Sequence, residues 1–308
     1  MTTERKVSFN SRGLNVVGIL RSPDTSATNR KRAAIVVSHP GGGVKEQTAG
    51  LYASLLTEQG YITLAFDAAY QGESSGEPRG LEDPAQRVED IKSAVTYLSL
   101  LPEVDTERIG GLGICASGGY INFAAQTDVR IKAVAGVSSV DFGQMIREGV
   151  KDTAAASPAS AIAGTLEAAA KARLAEAKGE EYAQLPFAPD DPATVPDVYP
   201  ALYKEAADYY RTPRGGHCRS TNRFPLRSTD LLANFDAFAF NHLISPRPLL
   251  MIAGSDADTK YFSEIAIEKA KEPKELFVVP GKTHIALYDD SSVVLPKLVD
   301  FYSKSISK

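Results

Sequence analysis

The sequence predicts a mostly parallel β-sheet flanked by helices, with a helical cap inserted between two of its strands. Three observations point there. Short apolar runs alternate with longer helical patterns along most of the chain. A run of mostly small residues, Gly113-Ile114-Cys115-Ala116-Ser117-Gly118-Gly119, leads from one apolar run into a helix. The stretch from Asp141 to Phe240 contains no strand-like run at all.

Taken in order, Leu14 to Leu20 follows the turn-rich Ser11-Arg12-Gly13 and reads as an early strand paired in a hairpin. Ala33 to Ser38 is a continuous apolar run, as a strand buried on both faces requires. Tyr61 to Asp67, Ile109 to Ile114, Ile131 to Val137, Pro248 to Ala253 and Glu275 to Val279 read the same way. Glu46 to Gln59 and Pro84 to Leu101 repeat apolar residues at the helical period, a helix follows from Tyr120 to Gln126, and a last helix runs from about Ser291 to Ser303. Within the strand-free stretch, Ala-rich sequence predicts a helix from about Ser160 to Lys178, and a second covers about Tyr199 to Tyr210. Between these two lies a Pro/Asp-rich connector, Leu185 to Pro192. Such an insertion is too long for a plain crossover and reads as a cap over the C-terminal edge of the sheet. The expected division is residues 1–140 and 241–308 for the two parts of the sheet core, with 141–240 as the cap.

Composition narrows the function. The chain has 308 residues, with 34 Lys+Arg against 38 Asp+Glu and a net charge of −4. That balance supplies no electrostatic attraction for nucleic acid or an anionic membrane. Two cysteines cannot form a disulfide framework and suit a reducing compartment. No apolar run approaches the roughly 20 residues needed to span a bilayer. The N-terminus lacks the apolar core of a secretory signal, and the expected location is the cytoplasm.

The candidate chemistry centres on Ile109-Gly-Gly-Leu-Gly-Ile-Cys115-Ala-Ser117-Gly-Gly119. A nucleophile on a sharp strand-to-helix turn needs small residues two before and two after it. Cys115 satisfies this with Gly113 and Ser117, and Ser117 satisfies it with Cys115 and Gly119. Cys115 is favoured because the strand runs directly into it and a helix N-terminus favours a thiolate. After the first buried strand, Ser38-His39-Pro40-Gly41-Gly42-Gly43 lets backbone amides approach an acyl oxygen. The Gly41 and Ala116 amides are the expected oxyanion hole, and His39 is expected to be structural. His284, on the Pro/Gly loop Val279 to Ile285, is the expected base. Asp256 and Asp258 compete as the acid that orients it, and Asp256 is preferred because it lies nearer the strand end.

These residues resemble the α/β-hydrolase superfamily, and within it the dienelactone-hydrolase-like branch in which Cys replaces Ser at the elbow. The likeness covers about residues 30 to 140 and 245 to 305, including Gly42 to Gln47 and Phe66 to Ser74. The cap segment Tyr209-Tyr210-Arg-Thr-Pro-Arg-Gly215 is similar to that of a subgroup containing fungal polyketide transferases. The resemblance implies an acyl-Cys115 intermediate and the joining of two polyketide chains. A thiol suits that chemistry, because exchange of one thioester for another keeps the acyl group activated. The expected partner is a small acyl or polyketide thioester, free or carrier-bound, with a homodimer as the expected assembly. No cofactor and no metal is expected, since His217-Cys218 is an adjacent pair without metal-ligand spacing. Hydrolysis of a small ester or lactone is the alternative activity, and a non-catalytic binding protein is the third reading. Two further segments have bland expectations. The arginines of the Arg211 to Arg227 loop are expected to be solvated or internally paired, with contact to a carrier phosphopantetheine or an anionic substrate as the lesser reading, and Asn234 to Phe240 to seal the cap against the core.

Overall fold

A computed structural model describes residues 2–151, 153, 156–157 and 161–308. Chain order begins with β1 (Thr3–Ser11), β2 (Leu14–Ser22), β3 (Ala34–Ser38), α1 (Thr48–Glu58), β4 (Ile62–Phe66), α2 (Pro84–Ser99), β5 (Ile109–Ile114), α3 (Ala116–Thr127) and β6 (Ala133–Val137). A second group follows: α4 (Phe142–Glu148), α5 (Ala161–Ala177), β7 (Gln184–Pro186), α6 (Ala201–Arg211), β8 (Arg223–Pro225) and α7 (Ser228–Ala233). The chain closes with β9 (Leu249–Gly254), α8 (Lys260–Lys269), β10 (Lys274–Val279), α9 (Ala286–Asp289) and α10 (Val294–Ile306).

Eight strands form one sheet in the order β1-β2-β4-β3-β5-β6-β9-β10. The β1–β2 and β2–β4 pairs are antiparallel, and all pairs from β4 to β10 are parallel. This is the α/β-hydrolase fold. The five central strands β3, β4, β5, β6 and β9 are buried along their whole length, because helices cover both faces. One apolar cluster joins Val36, Leu64 and Ile109 to Ile91 of α2 and Ile121 of α3. The other joins Ile35, Leu112 and Ile252 to Leu56 of α1 and Leu298 of α10.

The expected strands and helices are all present, with shifted ends, but Lys274–Val279, expected to be buried on both faces, is the edge strand of the sheet and is buried fully only at Val279. The helix expected from Tyr120 begins four residues earlier, at Ala116, because the turn at Cys115 passes straight into it. Its first turn is Ala-Ser-Gly-Gly, whose apolar period is too weak to read from sequence. In the cap, α5 matches the Ala-rich helix, although Ser160, its expected start, lies outside the described residues. The strand-free reading of the cap needs correcting. Gln184–Pro186 pairs antiparallel with Arg223–Pro225 as a two-stranded ribbon. Three-residue strands ending in proline are too short to show alternation.

Candidate active site

Cys115 sits at the end of β5 with φ 57° and ψ −123°, backbone that a residue with a Cβ adopts only under constraint. The constraint is visible. The Cys115 amide donates to Val137 O at 3.0 Å, and its carbonyl accepts from Gly118 N at 2.8 Å and Val140 N at 3.0 Å. A Cβ on Gly113 would lie 2.0 Å from Ser117 O, so the turn closes only with glycine there. Burial pushes the Cys115 thiol up. Hydrogen bonding from the Tyr288 hydroxyl and from the backbone amides of Ala116 and Gly41 acts against that, favouring the thiolate. Both amides expected in the oxyanion hole therefore face the sulfur.

Ser117, the alternative nucleophile, lies fully buried beneath the turn. Its hydroxyl donates to His39 O and meets Ser38 Oγ at 2.9 Å, while an Arg87 amino group donates to it at 2.9 Å. Those bonds hold the start of α3 against the end of β3. His39 has the structural role expected of it. Its Nε2 accepts from Ala68 N at 3.0 Å, which leaves Nδ1 to donate to Pro40 O at 2.7 Å. Arg87 also donates to His39 O at 2.8 Å and pairs with the fully buried Glu82 at 3.3 Å. This buried network fixes the carbonyl just before the Gly41 loop. Nothing in the sequence patterning of α2 marked Arg87 or Glu82 for that task.

His284 is buried, and burial alone pushes its pKa down to about 3. The imidazole is therefore neutral near pH 7. Ser138 Oγ donates to His284 O at 2.9 Å and pins the loop. The ring lies between two hydroxyls: Nδ1 meets Thr259 Oγ1 at 2.5 Å, and Nε2 meets the Tyr288 hydroxyl at 3.3 Å. The carboxylates expected to orient this ring do not touch it. Asp256 is exposed and its side chain accepts from Ser255 Oγ at 2.7 Å. Asp258 accepts from Leu202 N, on cap helix α6, at 3.0 Å. The reason is the close approach of the two loops. A Cβ on Gly254 would lie 1.9 Å from Lys282 O, and Asp256 N donates to Lys282 O at 3.0 Å. Locked this way, the loop carries Asp256 outward and presents Thr259 to the imidazole.

Cys115, Ala116 and Gly41 form the floor of a cavity of about 190 Å³. Its walls are Phe142, Met145 and Ile146 from α4 and Leu202, Tyr203, Ala206 and Tyr210 from α6, with Phe187 just past β7, Phe224 from β8 and Tyr288 beside the sulfur. The Phe187 ring packs on the Gly41–Gly42 loop, since a Cβ on Gly41 or Gly42 would meet it at 2.9 or 2.6 Å. Phe142, Phe187 and Phe224 pack against one another in tilted and edge-on contacts, with centroids 4.5 to 6.2 Å apart. Ser220 Oγ and Asn222 Nδ2 both bond Gly42 O, at 2.7 and 3.1 Å. The arginine-rich loop is paired internally: Arg214 with Asp289, Arg219 with Glu46, Arg223 with Asp190 and Arg227 with Glu176. Phe235 packs on Tyr120 and Phe123 against the core, away from the cavity. Among the described residues no cluster of three or more His, Cys, Asp or Glu suits a metal, and no helix is long and apolar enough to cross a membrane.

A strained strand-to-helix turn at the floor of a cavity, at the end of a central strand of this sheet, fits an enzyme of the α/β-hydrolase fold. Residues 18–181 match the dienelactone hydrolase family, and the chain belongs to that family. It is 38% identical to the uncharacterized Escherichia coli K12 protein YcjY, covering 98% of this chain and 99% of that one. The crystal structure of Pseudomonas aeruginosa protein PA2218 superposes with a TM-score of 0.91 at 36% identity, covering 99% of this chain and 94% of that one. The α/β hydrolase GrgF of Penicillium superposes with a TM-score of 0.82 at 23% identity, covering 99% of this chain and all of that one. By sequence the chain is 25% identical to the Penicillium protein named polyketide transferase grgF, over 90% of each chain.

Proposed function

We propose that the protein is a Cys-dependent acyl transferase that takes an apolar acyl group from a thioester onto Cys115 and passes it to a second acyl substrate. The observation that supports this most is the convergence of the Gly41 and Ala116 amides on the Cys115 sulfur, at the floor of a cavity walled by apolar cap side chains. Thr259 accepts from Nδ1–H of His284, and Nε2 then keeps the lone pair that a base needs. The Tyr288 hydroxyl, which faces both the sulfur and Nε2, passes its proton to Nε2 as it takes the proton from the thiol. The sulfur attacks the thioester carbonyl, and the two amides hold the oxyanion. Collapse breaks the carbon–sulfur bond of the donor, and the departing thiolate takes the proton back from the imidazolium. Acyl-Cys115 is still a thioester and stays reactive toward carbon. His284 next removes an acidic C–H proton from the second acyl substrate, whose carbon attacks the acyl group. The carbon–carbon bond forms as the Cys115 thiolate leaves. The apolar cap excludes the competing water.

Family membership favours a second reading, in which water takes the acyl group and a small ester, lactone or thioester is hydrolysed. Partitioning separates the two. Acyl-Cys115, formed from an N-acetylcysteamine thioester, is mixed with a 3-oxoacyl thioester as carbon acceptor. Transfer predicts a joined product exceeding the free acid. Free acid alone, at a rate indifferent to the acceptor, supports the hydrolase and overturns transfer.

A further inference from the structure

The turn that carries the Gly41 amide has little shape of its own. Gly41, Gly42 and Gly43 follow one another, and glycine imposes almost no backbone preference. Yet the turn is closed: Gly43 N donates to Pro40 O at 3.1 Å, and Gly42 takes φ 67°, as the third position of a type II turn requires. Its upstream end is held from the core, where Arg87 donates to His39 O at 2.8 Å. Its downstream end is held from the cap. The Gly42 carbonyl accepts from Ser220 Oγ at 2.7 Å and from Asn222 Nδ2 at 3.1 Å, and Asn222 Nδ2 also donates to Ser220 Oγ at 2.9 Å. Every proton of that amino group and that hydroxyl is thereby used, and both side chains are buried.

Asn222 grips the turn a second time. Its own carbonyl accepts from Phe187 N at 2.8 Å, and the Phe187 ring lies against Gly41 and Gly42. Its φ of 51° is a conformation that asparagine tolerates better than most residues. Neither Ser220 nor Asn222 lines the cavity, so neither is placed to touch substrate. We infer that Ser220 and Asn222 are positioning residues of the oxyanion hole, which hold the Gly42 carbonyl so that the Gly41 amide points at the reacting carbonyl oxygen. Preorganised amides stabilise an oxyanion because they need not reorient as charge develops. The cap is then a working part of the site as well as its cover, and the hole is complete when the cap loop is docked on Gly42. This rests on the acyl-Cys115 reading in either outcome, transfer or hydrolysis, and adds the residues that place one of its two amides.

The test measures two reactions of Cys115 in the wild type, Ser220→Ala and Asn222→Gly, the glycine keeping the positive φ. One is acylation by butyryl N-acetylcysteamine thioester in single turnover, which passes through an oxyanion. The other is reaction with methyl methanethiosulfonate, in which the thiolate attacks sulfur, a methyl disulfide forms and methanesulfinate leaves, with no carbonyl and no oxyanion. Peptide mass separates Cys115 from the exposed Cys218. The readout is the ratio of the two rates, in which a change in thiolate availability cancels. The inference predicts a ratio about 10-fold or more below wild type in each variant, a smaller effect than deletion of a donor because the amide is displaced and not removed. A ratio equal to that of the wild type overturns the inference, even where both rates fall together, as they would if the side chains only held the fold. A wild type that forms the methyl disulfide and is never acylated overturns the acyl-Cys115 reading itself, and the inference with it. Melting curves set a temperature at which each variant is folded, and Ser220→Ala, the smaller change, carries the test if Asn222→Gly does not fold.

Discussion

Replacing Thr259 by Val removes one hydroxyl at nearly constant volume and tests what orients the imidazole. Among the described residues that hydroxyl is the only group hydrogen-bonded to Nδ1 of His284, at 2.5 Å, and it is buried. Deleting it leaves a buried ring N–H unpaired and the ring free to turn, at a cost of about 1–3 kcal/mol. If that cost is felt in the transition state, acylation of Cys115 slows roughly 5- to 150-fold, at about 1.4 kcal/mol per decade. Asp256→Asn, by contrast, alters an exposed side chain bonded to Ser255, and its rate should stay within about 2-fold of wild type. The assay is thiol release from an acyl thioester under single-turnover conditions, at a temperature where melting curves show both variants fully folded. An unaffected Thr259→Val with a crippled Asp256→Asn would refute this assignment and restore the carboxylate as the orienting group.

Tyr288→Phe should slow acylation about 10²-fold or more, since the hydroxyl links the thiol to Nε2, whereas a drop below about 3-fold in single turnover would mean direct transfer. Below the Cys115 pKa, raised by burial, and above the His284 pKa of about 3, the resting pair is neutral thiol and neutral imidazole. The kcat/KM profile should therefore be flat from pH 5 to 8.5, and an inflection near 6.5 would contradict the buried, neutral ring. His284 also affects stability, with a definite sign. The unfolded ring takes up a proton below about pH 6.5 and the folded ring does not, so stability falls with pH over that range, by roughly 2 kcal/mol at pH 5 relative to pH 8. Urea unfolding of His284→Asn should show a correspondingly smaller loss over the same interval. Arg87→Met leaves the fully buried Glu82 carboxylate without its cation and should cost about 3–5 kcal/mol in the same assay. A loss under 1 kcal/mol would show that the network does not anchor the elbow.

Much of the fold was legible because apolar period and strand burial are properties of local sequence. The continuous runs at Ala34–Ser38 and Leu249–Gly254 are buried from end to end. The elbow was legible for a related reason: only small residues fit around a turn whose Gly113 lies against Ser117 O. The choice between Cys115 and Ser117 followed from where β5 ends. What orients His284 was not legible. It depends on how two loops dock at Gly254 and Lys282, a long-range contact that rotates Asp256 away and leaves a threonine in its place. Tyr210, Tyr288 and Phe187 were hidden for the same reason. Each reaches Cys115 or its oxyanion loop from a separate stretch of chain, and an aromatic in a cap sequence is as readily packing as site.

The central claim is covalent attachment at Cys115. Intact-protein mass spectrometry of wild type, Cys115→Ala and Ser117→Ala after brief exposure to a short-chain acyl thioester tests it most directly. The account predicts one acyl mass added to the wild type, mapped to the peptide carrying Cys115, and lost in Cys115→Ala. It also predicts that Ser117→Ala, where folded, still acylates. An adduct surviving in Cys115→Ala, or one lost only in Ser117→Ala, would contradict it.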